Sequence, residues 1–342
     1  MADAVIGWDV GGAHLKAARV HHGGRVSSVI QVPCPLWQGL EHLEAALDIA
    51  VRTLGPVPRH AVTMTGEMVD LFPDRNVGVT GISALLARRL GSADIRIYTG
   101  RAGFRPLADA AAAAGAIASA NWMATAAVVA GTRRDGLLLD IGSTTTDLVP
   151  IRHGQLQASG VDDSGRLAAG ELLYTGVVRT SLMSLAELAP CDGAWVPLMA
   201  EHFATTADVY RILGDLPEGA DLQATADAGP KTVEASARRL ARMVGRDSGS
   251  GSPETWRRLA QWFRRVQLRR IENSLARLES RPGIAGAPLV IAGVGRFLAP
   301  HLTDRSQPAL EWASLVEGGG EVPGVAECAP AVAVAWLLDR GE

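Results

Sequence analysis

The sequence predicts an α/β protein built from two related halves, each a mixed sheet flanked by helices, and three observations carry that expectation. An apolar strand runs twice into an aspartate and a glycine-led polar turn. The first copy is Ile6-Gly7-Trp8-Asp9-Val10-Gly11-Gly12, and the second is Leu139-Asp140-Ile141-Gly142-Ser143-Thr144-Thr145-Thr146-Asp147. Each turn is followed by a returning strand and then by segments of helical periodicity. The length, 342 residues with 47% hydrophobic and 20% charged, supplies core for roughly two domains. The first lobe is expected over 1–130 and the second over 131–328, with a helical insertion. A closing helix over about 329–342 is expected to return to the first lobe.

In chain order, 5–10 and 14–20 alternate as a hairpin with Gly11-Gly12 in its turn. His22-Gly23-Gly24-Arg25 turns into a third strand over 26–32. Apolar positions three and four apart predict a helix over Leu40–Leu54. A buried strand over 60–65, a helix over 81–90 and a strand over 95–98 follow. The alanine-rich stretch 108–130 reads as one or two helices, interrupted near Gly115 or Asn121. The second half repeats the plan with a hairpin over 136–151 and a third strand from Gln155. Residues 171–183 read as helical in part, and 190–208 as irregular. Helices are expected over 232–244 and 253–278, a short strand over 288–292 ending in Gly293-Val294-Gly295, and a last helix over 329–338.

Composition excludes several classes. The net charge of −3 offers no pull toward nucleic acid or an anionic membrane. The arginine-rich stretch 257–281 reads as a solvated helical face, with Trp256, Leu259, Trp262, Phe263 and Val266 on its apolar side. Cys34, Cys191 and Cys328 are too far apart for a metal motif and too few for a disulfide framework. Asp3 and Asp9 interrupt any signal peptide. Ser119, Asn121 and Thr125 interrupt the longest alanine-rich run, so a soluble cytoplasmic protein is expected. The oligomeric state stays open.

Glycine lets backbone approach a ligand closely, and an aspartate beside such a turn suits a hydrated divalent cation. Asp9 and Asp140 are therefore candidate Mg²⁺ ligands. Gly11, Gly12, Gly142, Ser143, Thr144 and Thr145 form a candidate phosphate cradle, and Lys16 a candidate phosphate contact. The plainer alternatives are that each aspartate caps its own turn, that the glycines merely serve hairpins, and that Lys16 is an exposed strand lysine. Repetition of the device favours two halves closing over one phosphorylated ligand.

These segments, with Thr63-Met64-Thr65-Gly66-Glu67, Gly170-Glu171-Leu172-Leu173-Tyr174-Thr175-Gly176, Thr205-Thr206-Ala207-Asp208 and Ala292-Gly293-Val294-Gly295, span nearly the whole chain. They resemble the fold shared by actin, sugar kinases and heat-shock chaperone ATPases, in its hydantoinase/oxoprolinase-like branch. More narrowly, the chain is similar to the tetrahydromethanopterin-linked C1-transfer pathway proteins, a group similar to the archaeal methanofuran-core synthase. The resemblance implies two lobes around a cleft and a transferase that joins an aminomethylfuran-methyl diphosphate to the phenol oxygen of a γ-glutamyl-tyramine or tyrosine type acceptor, releasing pyrophosphate. It makes Glu67 the preferred general base, with a helix N-terminal carboxylate as the equal alternative, and His14 is a second candidate that reads more plainly as a polar residue beside its turn. Asp208 becomes a possible second metal or amine-binding carboxylate, with a plain helix cap as the alternative. Gly293 and Gly295 become donor-binding or packing glycines, and Asp147 is expected to face the cleft. An ATP-dependent kinase or hydantoinase-type hydrolase shares every phosphate feature, so ATP stays an open cofactor. A non-catalytic nucleotide sensor is the third reading.

Overall fold

A computed structural model of the protein describes residues 4–91, 93–302 and 309–341. The chain divides into two compact units. One holds Met1–Leu138, Val149–Gln157 and Leu310–Glu342; the other holds Leu139–Leu148 and Ala158–Ala309.

In the first unit, β1 (Ala4–Val10), β2 (His14–His21), β3 (Arg25–Pro33), β4 (Arg59–Met64), β5 (Asp94–Tyr98) and β6 (Phe104–Pro106) form one sheet in the order β3-β2-β1-β4-β5-β6. β1 is antiparallel to β2 and parallel to β4, and β5 is parallel to β4. Side chains alternate between faces. Ile6, Trp8, Val10, Leu15, Val62, Met64 and Ile97 therefore bury on one face against the helices Leu40–Leu54 and Arg75–Leu90. Within that core Trp8 Nε1 donates to His60 Nδ1 at 3.1 Å, and burial pushes the His60 imidazole down to about 4. The opposite face carries the helix Ala329–Arg340. It lies so close that a Cβ on Gly7 would sit 1.9 Å from the Ala331 carbonyl oxygen. The helix Asn121–Thr132 packs beside it.

A second sheet is built from β7 (Gly136–Ile141), β8 (Thr146–Arg152), β9 (Gln155–Leu156), β10 (Leu172–Leu173) and, after a helical insertion, the strand Leu289–Ala292. The order runs β10-β8-β7 and then Leu289–Ala292, with β9 on β8. The helix Pro253–Glu279 starts from a Ser252–Thr255 capping box with proline in its first turn. Trp256, Leu259 and Phe263 are buried along it, whereas Trp262 and Val266 are half-buried.

Several expectations shift. The helix expected from residue 81 begins at Arg75, because the Asp74 carboxylate caps it by accepting from Val77 N. Residues 171–183 are mostly not helical. A helix Asp163–Ala169 ends in left-handed Gly170, Leu172–Leu173 is strand, and only Leu182–Leu185 is helix. Within 190–208 lies the hairpin Leu188–Cys191 and Ala194–Pro197, turned by Asp192 and Gly193, both at positive φ. The alanine-rich stretch breaks at Ser119, whose φ is +52°. No single helix among the described residues is long and apolar enough to cross a membrane.

Candidate functional site

Both glycine turns have the same construction. Gly11 N donates to the His14 carbonyl at 3.0 Å, and Gly142 N donates to the Thr145 carbonyl at 2.8 Å. Those two N–H groups close their own turns and are not available to a phosphate. The candidate cradle is corrected accordingly: of the backbone donors assigned to it, Gly11 and Gly142 serve the turn, and Gly12, Ser143, Thr144 and Thr145 remain.

In the first unit the register sets a polar row across the carboxyl ends of the parallel strands, where α/β sheets bind ligands. Asp9 faces Lys16 on β2 and Thr63 on β4, so the three side chains share the face opposite the large core. His14 starts β2 on that same face and is buried. Asp9 is 5% exposed, and its Oδ1 has no hydrogen-bond partner among the described residues; Thr63, fully buried, has a hydroxyl in the same condition. Burial pushes the Asp9 carboxyl up, and the half-buried Lys16 ammonium pulls the other way. A buried carboxylate oxygen with nothing to accept from is costly.

Thr65 and Gly66 bring Glu67 to this corner. Thr65 N donates to the Val10 carbonyl at 3.0 Å, and a Cβ on Gly66 would lie 3.2 Å from the Gly11 carbonyl oxygen. The next residue, Glu67, is 1% exposed and stands in a short 3-10 turn rather than at the start of a long helix. Its Oε1 accepts from Ser119 N at 3.0 Å and from Ser119 Oγ at 3.2 Å, while Oε2 has no partner among the described residues. Desolvation raises the Glu67 carboxyl above its ordinary range, against lowering by the Ser119 bonds and the Arg75 guanidinium. Burial thus disfavours the ionised form of Glu67 and leaves one oxygen open as an acceptor.

In the second unit, Gly293 (φ +84°) presses on Asp140: a Cβ there would lie 2.4 Å from Asp140 Oδ1 and 2.3 Å from the Ile141 carbonyl oxygen. Gly295 N donates to that same carbonyl at 2.7 Å. The pair Gly293 and Gly295 thus permits close packing against the aspartate turn. On its other side Val178 N and Arg179 N donate to the Ser143 carbonyl at 3.1 and 2.9 Å. Buried Gln267 holds this segment by donating to Thr175 Oγ1 and the Gly176 carbonyl, both at 2.8 Å, and it accepts from the Tyr210 hydroxyl. Asp147 leans on the fully buried Arg166 at 2.8 Å. Where the first turn is followed at the fifth position by Lys16, the second is followed there by Asp147, so this one position has the opposite charge in the two copies.

Asp208 is placed away from these turns in role. Its Oδ2 accepts from Thr205 N in a capping box, and its Oδ1 accepts from Ser236 and from the buried Arg239. With both oxygens engaged, the plain cap is the reading its geometry gives, and the metal or amine-binding role is set aside. Among the described residues no group of three or more His, Cys, Asp or Glu is arranged to hold a metal. Cys34, Cys191 and Cys328 are buried free thiols, and burial pushes Cys34 and Cys328 up to about 12. Thr63 and Ser119 were missed in the sequence; a polar residue inside an apolar strand and one inside an alanine run were their only signals.

The hydantoinase/oxoprolinase family model matches residues 60–337. The chain belongs to this family. The first hairpin, with Asp9 and Lys16, precedes the matched segment. Among curated proteins, (4-{4-[2-(gamma-L-glutamylamino)ethyl]phenoxymethyl}furan-2-yl)methanamine synthase of Methanocaldococcus jannaschii is 29% identical over 244 residues, covering 71% of this chain and 72% of that protein. The same-named synthase of Methanococcus vannielii is 29% identical over 159 residues, covering 46% of this chain and 70% of that protein. A nucleotide-free structure of acetone carboxylase aligns with TM-score 0.60 at 11% identity, over 98% of this chain and 70% of that one. That likeness concerns the fold alone, which is the α/β fold of actin-like ATPases and sugar kinases. The family, the fold and the similarity to this synthase, all first suggested by the motifs, stand together.

Proposed function

We propose that this hydantoinase/oxoprolinase family member is a transferase that joins an aminomethylfuran-methyl diphosphate to a phenol oxygen. The reading rests on two relatives bearing one synthase name, whose product contains a phenoxymethyl-furan ether. The geometric observation that supports it is the buried Asp9 carboxylate, unpartnered at Oδ1 and facing Lys16 beside a glycine turn.

In the reaction the bond from the furfuryl carbon to the diphosphate oxygen breaks, a bond from that carbon to the phenol oxygen forms, and the phenol proton leaves. Lys16 binds the diphosphate as a point charge, and Gly12 orients its oxygens; Ser143, Thr144 and Thr145 are the corresponding donors of the second turn. Glu67 Oε2 takes the phenol proton. A phenol with a free pKa of about 10 needs such a base at neutral pH. Asp9 would hold Mg²⁺, which suits a single carboxylate with substrate phosphate and water as its other ligands; Asp140 is the equivalent carboxylate of the second turn. When bound, the cation neutralises the charge that builds on the departing diphosphate.

The family match itself favours a second reading, an ATP-dependent hydrolase of the hydantoinase or oxoprolinase type. Incubating the protein with ATP and either hydantoin or 5-oxoproline separates the two. The transferase reading expects no ADP above background, and stoichiometric ADP formation would overturn it.

A further inference from the structure

We propose that Ser119 is a positioning residue that clamps one oxygen of Glu67 so that the other faces the proton it accepts. The inference rests on the reading of Glu67 as the base.

Four observations meet here. Ser119 donates twice to a single oxygen, from its backbone N at 3.0 Å and from its hydroxyl at 3.2 Å. Both bonds fall on Oε1, which leaves Oε2 buried and without a partner among the described residues. Ser119 makes them from a left-handed backbone at φ +52°, which a non-glycine residue adopts at a conformational cost. It also does so across 52 residues of sequence, from the break between two helical segments of the alanine-rich stretch. A carboxylate needed only to tie loops together would have both oxygens engaged, as Asp208 does. Here one oxygen is engaged twice and the other not at all, which fixes the plane of the carboxyl group while leaving an acceptor.

The surroundings restrict what else governs Glu67. Gly78 of the helix Arg75–Leu90 lies on its backbone, where a Cβ would come within 2.5 Å of the Glu67 carbonyl oxygen. Arg75 of that helix is the charged group that bears on the carboxyl, and the sulfur of Met68 accepts from the Ser119 hydroxyl at 3.4 Å. The hydroxyl of Ser119 stabilises the ionised form, so its loss raises the pKa of Glu67 further.

The test uses Ser119→Ala and Ser119→Gly in the full chain. Both delete the hydroxyl, and the glycine variant also relieves the backbone, so a fold defect in one is checked by the other. With the furfuryl diphosphate and phenolic acceptor as substrates, kcat/KM is expected to fall about tenfold on the acid limb in both variants and to converge on wild type at high pH. A loss equal at every pH would mark a merely structural residue and overturn the inference, as would an unmoved acid limb. A readout independent of turnover is the ¹³C carboxyl titration of glutamate-labelled protein, with the Glu67 resonance assigned by its absence in Glu67→Gln. The resonance is expected to titrate at higher pH in Ser119→Ala, and identical curves would refute the clamp. If Glu67→Gln retains normal turnover, the base assignment fails instead, and that outcome is separate from the titration.

Discussion

Asp9 is a charge that the folded chain holds against its own stability. Because burial raises its pKa, the folded protein binds that proton more tightly than the unfolded chain, and stability declines as pH rises from the ordinary carboxylate range through the folded value. At neutral pH, Asp9→Asn removes the penalty. The melting temperature is expected to rise by several degrees while turnover falls about a hundredfold, as calorimetry and a rate assay would read. A variant that loses both stability and turnover would mark Asp9 as a turn cap. His60 works in the opposite sense. Its pKa, lowered to about 4, leaves it neutral where the unfolded histidine is charged, so stability is lost as pH falls from about 6.5 toward 4. Urea midpoints should show roughly 3 kcal/mol of acid sensitivity in that window, and His60→Gln should flatten it. Asp208→Asn would leave fully buried Arg239 without its full charge partner and should cost about 3 kcal/mol in urea unfolding. Little loss there would contradict the structural role given to this carboxylate.

At the scale of elements, short-range patterns were legible and long-range pairings were not. The helix Leu40–Leu54 follows directly from its apolar spacing, and the two glycine hairpins from strand, aspartate and turn standing side by side in sequence. Thr63 gains its place only because β4 lies parallel to β1 in a register that sets it beside Asp9, a fact that no local pattern carries. Gln267 reaches Thr175 across 92 residues, out of a helix whose sequence advertises only arginines and apolar spacing. The Asp192-Gly193 hairpin had a readable signal, obscured by prolines and a single exposed tryptophan around it. Gly293 is where an element's conformation touches the site most directly. Gly293→Ala meets both a positive φ and the Asp140 carboxylate, so it should lower stability by about 1–3 kcal/mol and reduce turnover as well. Normal turnover in that variant would separate Asp140 from the chemistry.

Over the whole molecule, duplication is the organising feature, and its two copies have diverged in charge. The first turn is answered by Lys16 and the second by an aspartate tied to Arg166. The motifs suggested a phosphate-binding device, whereas the proposed substrate comes from the relatives' shared name, since diphosphate and ATP present similar oxygens to a glycine turn. The most direct test is to mix the purified protein with an aminomethylfuran-methyl diphosphate, a γ-glutamyl-tyramine acceptor and Mg²⁺ without ATP, and to quantify pyrophosphate and the ether product together. The account predicts equimolar formation of both, lost in Asp9→Asn. Pyrophosphate without the ether, or no turnover until ATP is supplied and cleaved, would contradict it.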